Sequence, residues 1–260
     1  VRRDEELGRW IRRSFADSDS TYGVRRVWLD LLEWGHDVGR ERVTRLMRQE
    51  GLHARVPNKR LPRDTGPRPH SALAPNRLDR EFSADAANQR WVADFTYVWS
   101  WSGWVYVAFV FDVHSRRILG WRAASTMATT MVLDSIEQAI WTRQRDGILD
   151  LKDVVHHTDR GSQYTSIRFT ERLAEAGIQP SVGAVGSSYD NALAETINGL
   201  YKTELIKPGK PWRTVEDVEL ATARWVDWFN HRRLYEYCGD VPPAELEAAY
   251  YAQQTRPAAS

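Results

Sequence analysis

RWVADFTYVWSWSGWVYVAFVFD, residues 90–112, decides the fold. Residues 90–99 are rich in β-branched and aromatic side chains and read as a strand. Residues 100–103 (SWSG) read as a hairpin turn. Residues 104–112 form a continuous apolar run, the pattern of a central strand buried on both faces. Asp94 lies in the middle of the first strand, among Trp91, Val92, Phe95 and Tyr97. Acids are depleted in strands and costly to bury without a partner. The stretch therefore predicts a sheet and raises the question of what a carboxylate does in it.

Downstream, His114 and Ser115 turn the chain, and residues 116–123 (RRILGWRA) return as a third strand. A helix is predicted over 127–143, with Ala128, Met131, Val132, Ser135, Ile136, Ala139 and Ile140 along one side. A short strand over 153–158 runs into Asp159. A helix over 166–176 ends at Gly177, and 178–182 is a last strand. After GAVGSSYDN come helices over 190–206 and 214–232, the second carrying Trp225, Trp228 and Phe229. Three antiparallel strands, then helix, strand, helix, strand, helix: this order predicts an α/β fold of the ribonuclease-H-like kind. It is a mixed five-stranded sheet with flanking helices.

Upstream, helices are expected over 5–15, over 21–34 with Ser20 or Thr21 as cap, and over 39–50 with Gly51 as stop. Gly35, His36 and Asp37 break the last two apart. Two short helices joined by a Gly-containing turn make a helix-turn-helix candidate, so a small all-α domain precedes the sheet. Arg40, Arg42, Arg45 and Arg48 lie on or near the polar side of its second helix. Arginine forks suit guanine edges and phosphates; a solvated helix face is the plainer alternative. Residues 54–88 lose periodicity and hold five of the eleven prolines, as a linker does. The expected division is 1–53 (helix-turn-helix domain), 54–88 (Pro/Arg-rich linker), 89–208 (catalytic core) and 209–260 (C-terminal helical extension).

The 260 residues suffice for one or two domains with a sizeable core. Net charge is only +1, but residues 40–80 carry an excess of seven positive charges, leaving the rest net acidic. A basic segment beside an acid-rich part fits nucleic-acid binding next to a carboxylate site. A single cysteine, Cys238, excludes an internal disulfide and a Cys-based zinc cluster, and fits a reducing cytoplasm. No stretch reaches the roughly 18 apolar residues of a membrane span. VRRDEELGRW contains no apolar region of the signal-peptide kind. Most of the twelve tryptophans are read as packing residues.

Three acids stand in suggestive places: Asp94 within a strand, Asp159 at a strand end, and Glu195 in a helix, with 35 residues between the last two. In the predicted fold these elements converge at one sheet edge. Three carboxylates there suit two hard cations about 3.5–4 Å apart, which together drive in-line phosphoryl transfer. Singly, each has a plain alternative: a buried ion pair for Asp94, a turn for Asp159, a solvated helix acid for Glu195. His156 and His157 invite a zinc reading, but no matching ligand pair stands at the required spacing. Glu195, Asn198, Gly199 and Lys202 share one predicted helix face, with Lys202 suited to a DNA phosphate or simply solvated.

The strings WVADFTYV, HHTDRGSQYTS, SSYDNALAETINGLYKTELI and WVDWFNHRRL, in this order, resemble the DDE transposases of bacterial insertion sequences with a retroviral-integrase-like core. The nearest likeness is to the second reading-frame product of the group numbered three. TYGVRRVWLDLLEWGHDVGRERVTRLMRQEGL resembles the helix-turn-helix that precedes that core. The likeness spans about residues 20–247. It implies Asp94, Asp159 and Glu195 as the catalytic, metal-holding triad, with Lys202 as their basic companion. Tyr189, Asp190 and Asn191 are implied as the loop that shapes the site. The implied activity is cleavage at the element's ends, followed by joining of the freed 3′-hydroxyls to DNA, with two magnesium ions or manganese in their place. Expected DNA contacts are Lys202, Arg40, Arg42, Arg45, Asn191 and Asn198. Expected partners are double-stranded DNA at element ends and target, further copies of the chain (at least a dimer on DNA), and the first reading-frame product. The expected location is the cytoplasm, at the nucleoid. Where family members commonly have Arg-Leu-His, this chain has Arg233, Leu234 and Tyr235. A ribonuclease-H-like nuclease and a catalytically inactive DNA-binding repressor are the competing readings.

Overall fold

The computed structural model describes residues 2–55, 84–158, 164, 166–182 and 192–254. They gather into two units. The first contains three helices and the segment Lys202–Pro208; the second contains the sheet and the remaining helices.

In the first unit, α1 (Arg2–Asp17), α2 (Val24–Glu33) and α3 (Arg40–Gln49) each turn one apolar stripe inward. Leu7 and Ile11 of α1 are buried, as are Val27 and Leu31 of α2 and Val43, Leu46 and Met47 of α3. Ser20 and Thr21 do not cap α2. The N-cap is Gly23, with no side-chain bond. The reason lies in the preceding turn: Asp19 and Ser20 adopt φ of 50° and 60°, and Ser18 Oγ accepts from Tyr22 N–H at 3.2 Å. Gly35 (φ 83°) and Gly51 (φ 67°) follow α2 and α3 in the left-handed conformation that ends helices. Between α1 and α2, Ser14 donates to the Asp30 carboxylate, and burial pushes Asp30 up to about 6.

In the second unit, β1 (Arg90–Ser100), β2 (Gly103–Asp112), β3 (Ile118–Ala124), β4 (Val155–Thr158) and β5 (Gln179–Val182) form a mixed sheet in the order β3-β2-β1-β4-β5. The first three strands are antiparallel; β4 joins β1, and β5 joins β4, in parallel. The hairpin turn is tighter than the four residues expected: Ser100 pairs with Gly103, leaving Trp101 and Ser102 as the turn. Gly103 takes φ 110°, which the tight turn requires and side-chain-bearing residues resist.

One sheet face packs against α4 (Thr129–Arg145) and α5 (Ile167–Glu175), with Trp91, Ala108, Val110, Leu119, Ile136 and Phe169 in the shared core. Gly120 lets α4 approach β3 closely, since a Cβ there would lie 2.0 Å from Ser135 O. On the other face Phe109 meets Tyr201 of α6 (Ala192–Tyr201) and Trp225 of α7 (Val215–His231), at ring distances of 5.1 and 6.2 Å. The single helix expected over 190–206 is two pieces: α6 passes into a π-helical turn, Lys202–Ile206. Thr214 and Asp217 form a capping box at the start of α7. Asn230, near its end, bonds both the N–H and the C=O of Ile118 at 2.9 Å, fixing α7 to β3.

The C-terminal extension also contains α8 (Pro243–Gln254), which the sequence did not separate. Arg143 of α4, fully buried, reaches Glu247 of α8 at 2.6 Å and Asp112 of β2 at 3.1 Å. Among the twelve tryptophans, Trp34, Trp99, Trp101, Trp104 and Trp141 are exposed; the other seven pack at least partly inside. No described helix is long and apolar enough to cross a membrane.

Candidate active site

Asp94 is opposite Phe109 in the β1–β2 register, so it shares the sheet face covered by α6 and α7. It is half-buried. Its Oδ1 accepts the backbone N–H of Phe95 at 2.9 Å, and its Oδ2 accepts Asn198 Nδ2 at 3.0 Å. Both bonds suit the ionised form, which only accepts. Together they fix which way the carboxylate plane faces.

Glu195 lies in the first turn of α6. Ala194, Ile197 and Tyr201 bury one side of this helix completely, which sets the helix rotation. Glu195 falls on the exposed side, yet partial desolvation raises its carboxyl above the ordinary value. Asn198 is three residues on, only 7% exposed. One helix therefore carries both the second acid and the amide that grips the first. Asp94 and Glu195 each offer carboxyl oxygens, the donor type hard divalent cations prefer. A partly desolvated carboxylate such as Glu195 gains from a nearby cation, so the chemistry of the pair fits a metal site.

β4 enters beside β1 in parallel, with Thr158 paired to Ala93. Asp159, which follows, lies outside the described residues, as do Tyr189, Asp190 and Asn191. Lys202 is half-buried and opens the π-helical turn, so the α-helical spacing from Glu195 stops one residue short of it. His156 and His157 are both buried in β4. His157 Nδ1 bonds Ser181 Oγ at 2.9 Å, and His156 packs its ring 5.6 Å from that of Phe169. Burial pushes His156 down to about 3, so its imidazole is neutral in ordinary buffers. Among the described residues, no group of three His, Cys, Asp or Glu stands together at metal-holding distance.

In the first unit Arg40 is exposed at the start of α3. Arg42 and Arg45 both reach the carboxylate of Asp4 on α1, at 2.7 and 2.9 Å. Asn198, an expected DNA contact, bonds Asp94 in this structure. Sequence reasoning missed that bond, although a signal was present: Asn198 is four residues from Ala194 and three from Tyr201, on the buried stripe of the helix. A polar residue on such a stripe needs a buried partner.

Comparison with known proteins adds the following. Residues 84–188 and 176–243 match family models described as integrase core domain, and residues 2–60 match an HTH-like domain. The chain is 69% identical over 257 residues to a Mycobacterium tuberculosis protein provisionally named transposase for insertion sequence element IS986/IS6110. That alignment covers 99% of this chain and 92% of the relative. It is 50% identical over 252 residues to the transposase for insertion sequence element IS629 of Shigella sonnei, covering 97% and 82%. It is 30% identical over 236 residues to the transposase InsF for insertion sequence IS3A of Escherichia coli, covering 90% and 79%. A chain of the simian T-cell lymphotropic virus intasome, solved with the PP2A regulatory subunit B56 gamma, superposes with a TM-score of 0.51 at 16% identity. It covers 92% of this chain and 74% of its own length, a likeness of fold.

Proposed function

Because this chain belongs to the bacterial insertion-sequence transposases of the IS3 group, we propose that it cuts DNA at its element's ends and joins the freed 3′-hydroxyls to target DNA, at a site made by Asp94, Asp159 and Glu195. The observation that carries this reading is the 3.0 Å bond from Asn198 to Asp94, which ties the strand acid to the helix bearing Glu195. The register is compatible with the third member: Thr158 pairs with Ala93, the residue before Asp94, and Asp159 is the next residue of the sequence.

The three carboxylates would hold magnesium, with manganese as substitute. A pair of such ions, when bound, activates the attacking oxygen and stabilises the leaving oxygen at phosphorus. The chain's own residues do the rest. The Phe95 N–H and the Asn198 amide orient the Asp94 carboxylate. The packed stripe of α6 holds Glu195 at a fixed rotation. Lys202 and Asn191 contact the DNA backbone near the cut, and Arg40, Arg42 and Arg45 contact DNA through the helix-turn-helix. In this reading residues 1–53 bind DNA, 54–88 link, 89–208 perform the chemistry and 209–260 extend the core. The protein works at the nucleoid on double-stranded ends and target, at least as a dimer, with the first reading-frame product as a further partner.

The test uses blunt, labelled duplex carrying the terminal repeat of the encoding element, incubated with purified protein and magnesium. Joined products are expected from the wild type. Asp94→Asn and Glu195→Gln should abolish them while leaving the gel shift intact. Nicking without joining would point to a nuclease; a gel shift with neither would point to a repressor. Wild-type joining by Asp94→Asn would remove Asp94 from the chemistry.

A further inference from the structure

Asp4 stands in the first turn of α1, against the N-terminal half of α3. Its Oδ1 accepts from Arg42 Nε at 2.7 Å and lies 2.5 Å from Arg42 Nη2. Its Oδ2 accepts from Arg45 Nη2 at 2.9 Å, and Arg45 Nη1 donates in turn to Gln49 Oε1 at 3.2 Å. Farther along the same two helices Arg12 meets Glu50 at 2.6 Å, so α1 and α3 run side by side in the same sense. Hydrogen bonds from Arg45 and Arg42 hold the Asp4 carboxyl below its ordinary value.

Stability does not account for this cluster. The three side chains are 29–48% exposed, and ion pairs so open to water contribute little. Nor does simple attraction to DNA: a carboxylate among the cations of a phosphate-binding surface weakens that surface. Geometry gives it a use. In a helix-turn-helix the N-terminal part of the second helix meets base edges. That is the half of α3 beside which Asp4 lies. A long unrestrained arginine can settle on the nearest phosphate, which carries no sequence information. An arginine clamped on a carboxylate keeps one rotamer and points its remaining N–H groups in one direction. Arg42 gives Asp4 its Nε and an Nη2 hydrogen, and Arg45 is held at both terminal nitrogens. Each retains further donors.

We propose that Asp4 is a specificity-determining residue, which fixes the forks of Arg42 and Arg45 so that their remaining N–H groups read base edges of duplex DNA. The proposal rests on the reading of α3 as the helix that contacts DNA.

The experiment compares the full chain with Asp4→Ala and Asp4→Asn; the second keeps the side-chain size should the first fail to fold. Each protein selects from a pool of randomised duplexes, and each is titrated against one random-sequence duplex across a salt series. The wild type should enrich a defined motif. Both variants should enrich a motif that has become degenerate at one or two positions, with discrimination falling about tenfold. Their affinity for the random duplex should rise, with a salt slope steeper by about one, because a cation is released to phosphate. A merely structural role would weaken both kinds of binding together and leave the motif unchanged. Variants that enrich the wild-type motif with undiminished sharpness would overturn the proposal. A wild type that enriches no motif would overturn the reading of α3 itself, a different failure.

Discussion

The amide of Asn198 is committed to Asp94. Its Nδ2 bonds Asp94, while its Oδ1 is buried with no hydrogen-bond partner among the described residues. Replacing the side chain by alanine would remove one of the bonds that orient the Asp94 carboxylate. A carboxylate that rotates no longer presents its oxygens in one arrangement, and losses of about 10- to 100-fold follow when such supporting bonds are removed. Asn198→Ala should therefore lower the rate of strand joining by that order and raise the manganese concentration needed for half-maximal binding, read by electron paramagnetic resonance. Its gel shift with end DNA should persist. A variant that loses DNA binding but keeps manganese affinity would return Asn198 to the role of DNA contact. Asp94 itself was legible in sequence, because an acid inside an apolar strand breaks a local rule. Asn198 was overlooked, because Asn in a helix is common and its spacing from Ala194 and Tyr201 gains meaning once the packing shows that stripe to be buried.

At the scale of elements, legibility follows how much of each buried face is apolar. The β1–β2 hairpin announces itself by its run of Val, Phe, Trp and Tyr, and only the length of its turn differs. α8 does not: its buried residues are Pro243 and Glu247, so no apolar stripe marks it. What holds α8 is charge. Glu247 is 3% exposed and Arg143 is fully buried. Burial pushes the Glu247 carboxyl up, but the bond and charge of Arg143, the charge of Arg117 and the Ser115 hydroxyl pull it down further, and the net shift is downward. A lowered carboxylate contributes stability that is present above its unfolded value and lost as pH falls through the folded one. Glu247→Gln should thus cost about 3 kcal/mol in urea denaturation near neutral pH, since it takes from the buried Arg143 guanidinium the nearer of its two buried carboxylates and leaves Asp112 at 3.1 Å. It should also flatten the loss of stability on the acid side. Pairing it with Arg143→Met should recover part of the loss, because the guanidinium is gone while Asp112 still accepts from the N–H groups of Asn88, His114 and Ser115. A single variant as stable as the wild type would show that α8 is held by packing instead. The π-helical turn Lys202–Ile206 was illegible for another reason: no Gly or Pro marks it in the sequence, and what distinguishes it is the pattern of backbone bonds.

For the molecule as a whole, the proposed function assigns DNA reading and phosphoryl chemistry to separate stretches of chain. The basic excess lies in residues 40–80, whereas Asp94 and Glu195 lie in the net-acidic remainder. In the proposed function the protein works at least as a dimer, so that one complex holds two DNA ends. If so, a defect in one function on one copy can be covered by the other copy. The expected outcome concerns two inactive proteins: Asp94→Asn, which binds but does not join, and the triple variant Arg40→Ala, Arg42→Ala, Arg45→Ala, which keeps its acids but binds ends poorly. Neither alone should yield joined products. Mixed in equal amounts, about half of the dimers carry one copy of each. Such mixtures should restore joining to a measurable fraction of the wild-type level, with a steep dependence on protein concentration. Each DNA end would then be read by one chain and cut by another. Mixtures as inactive as their components would instead mean that each chain must read and cut the same end.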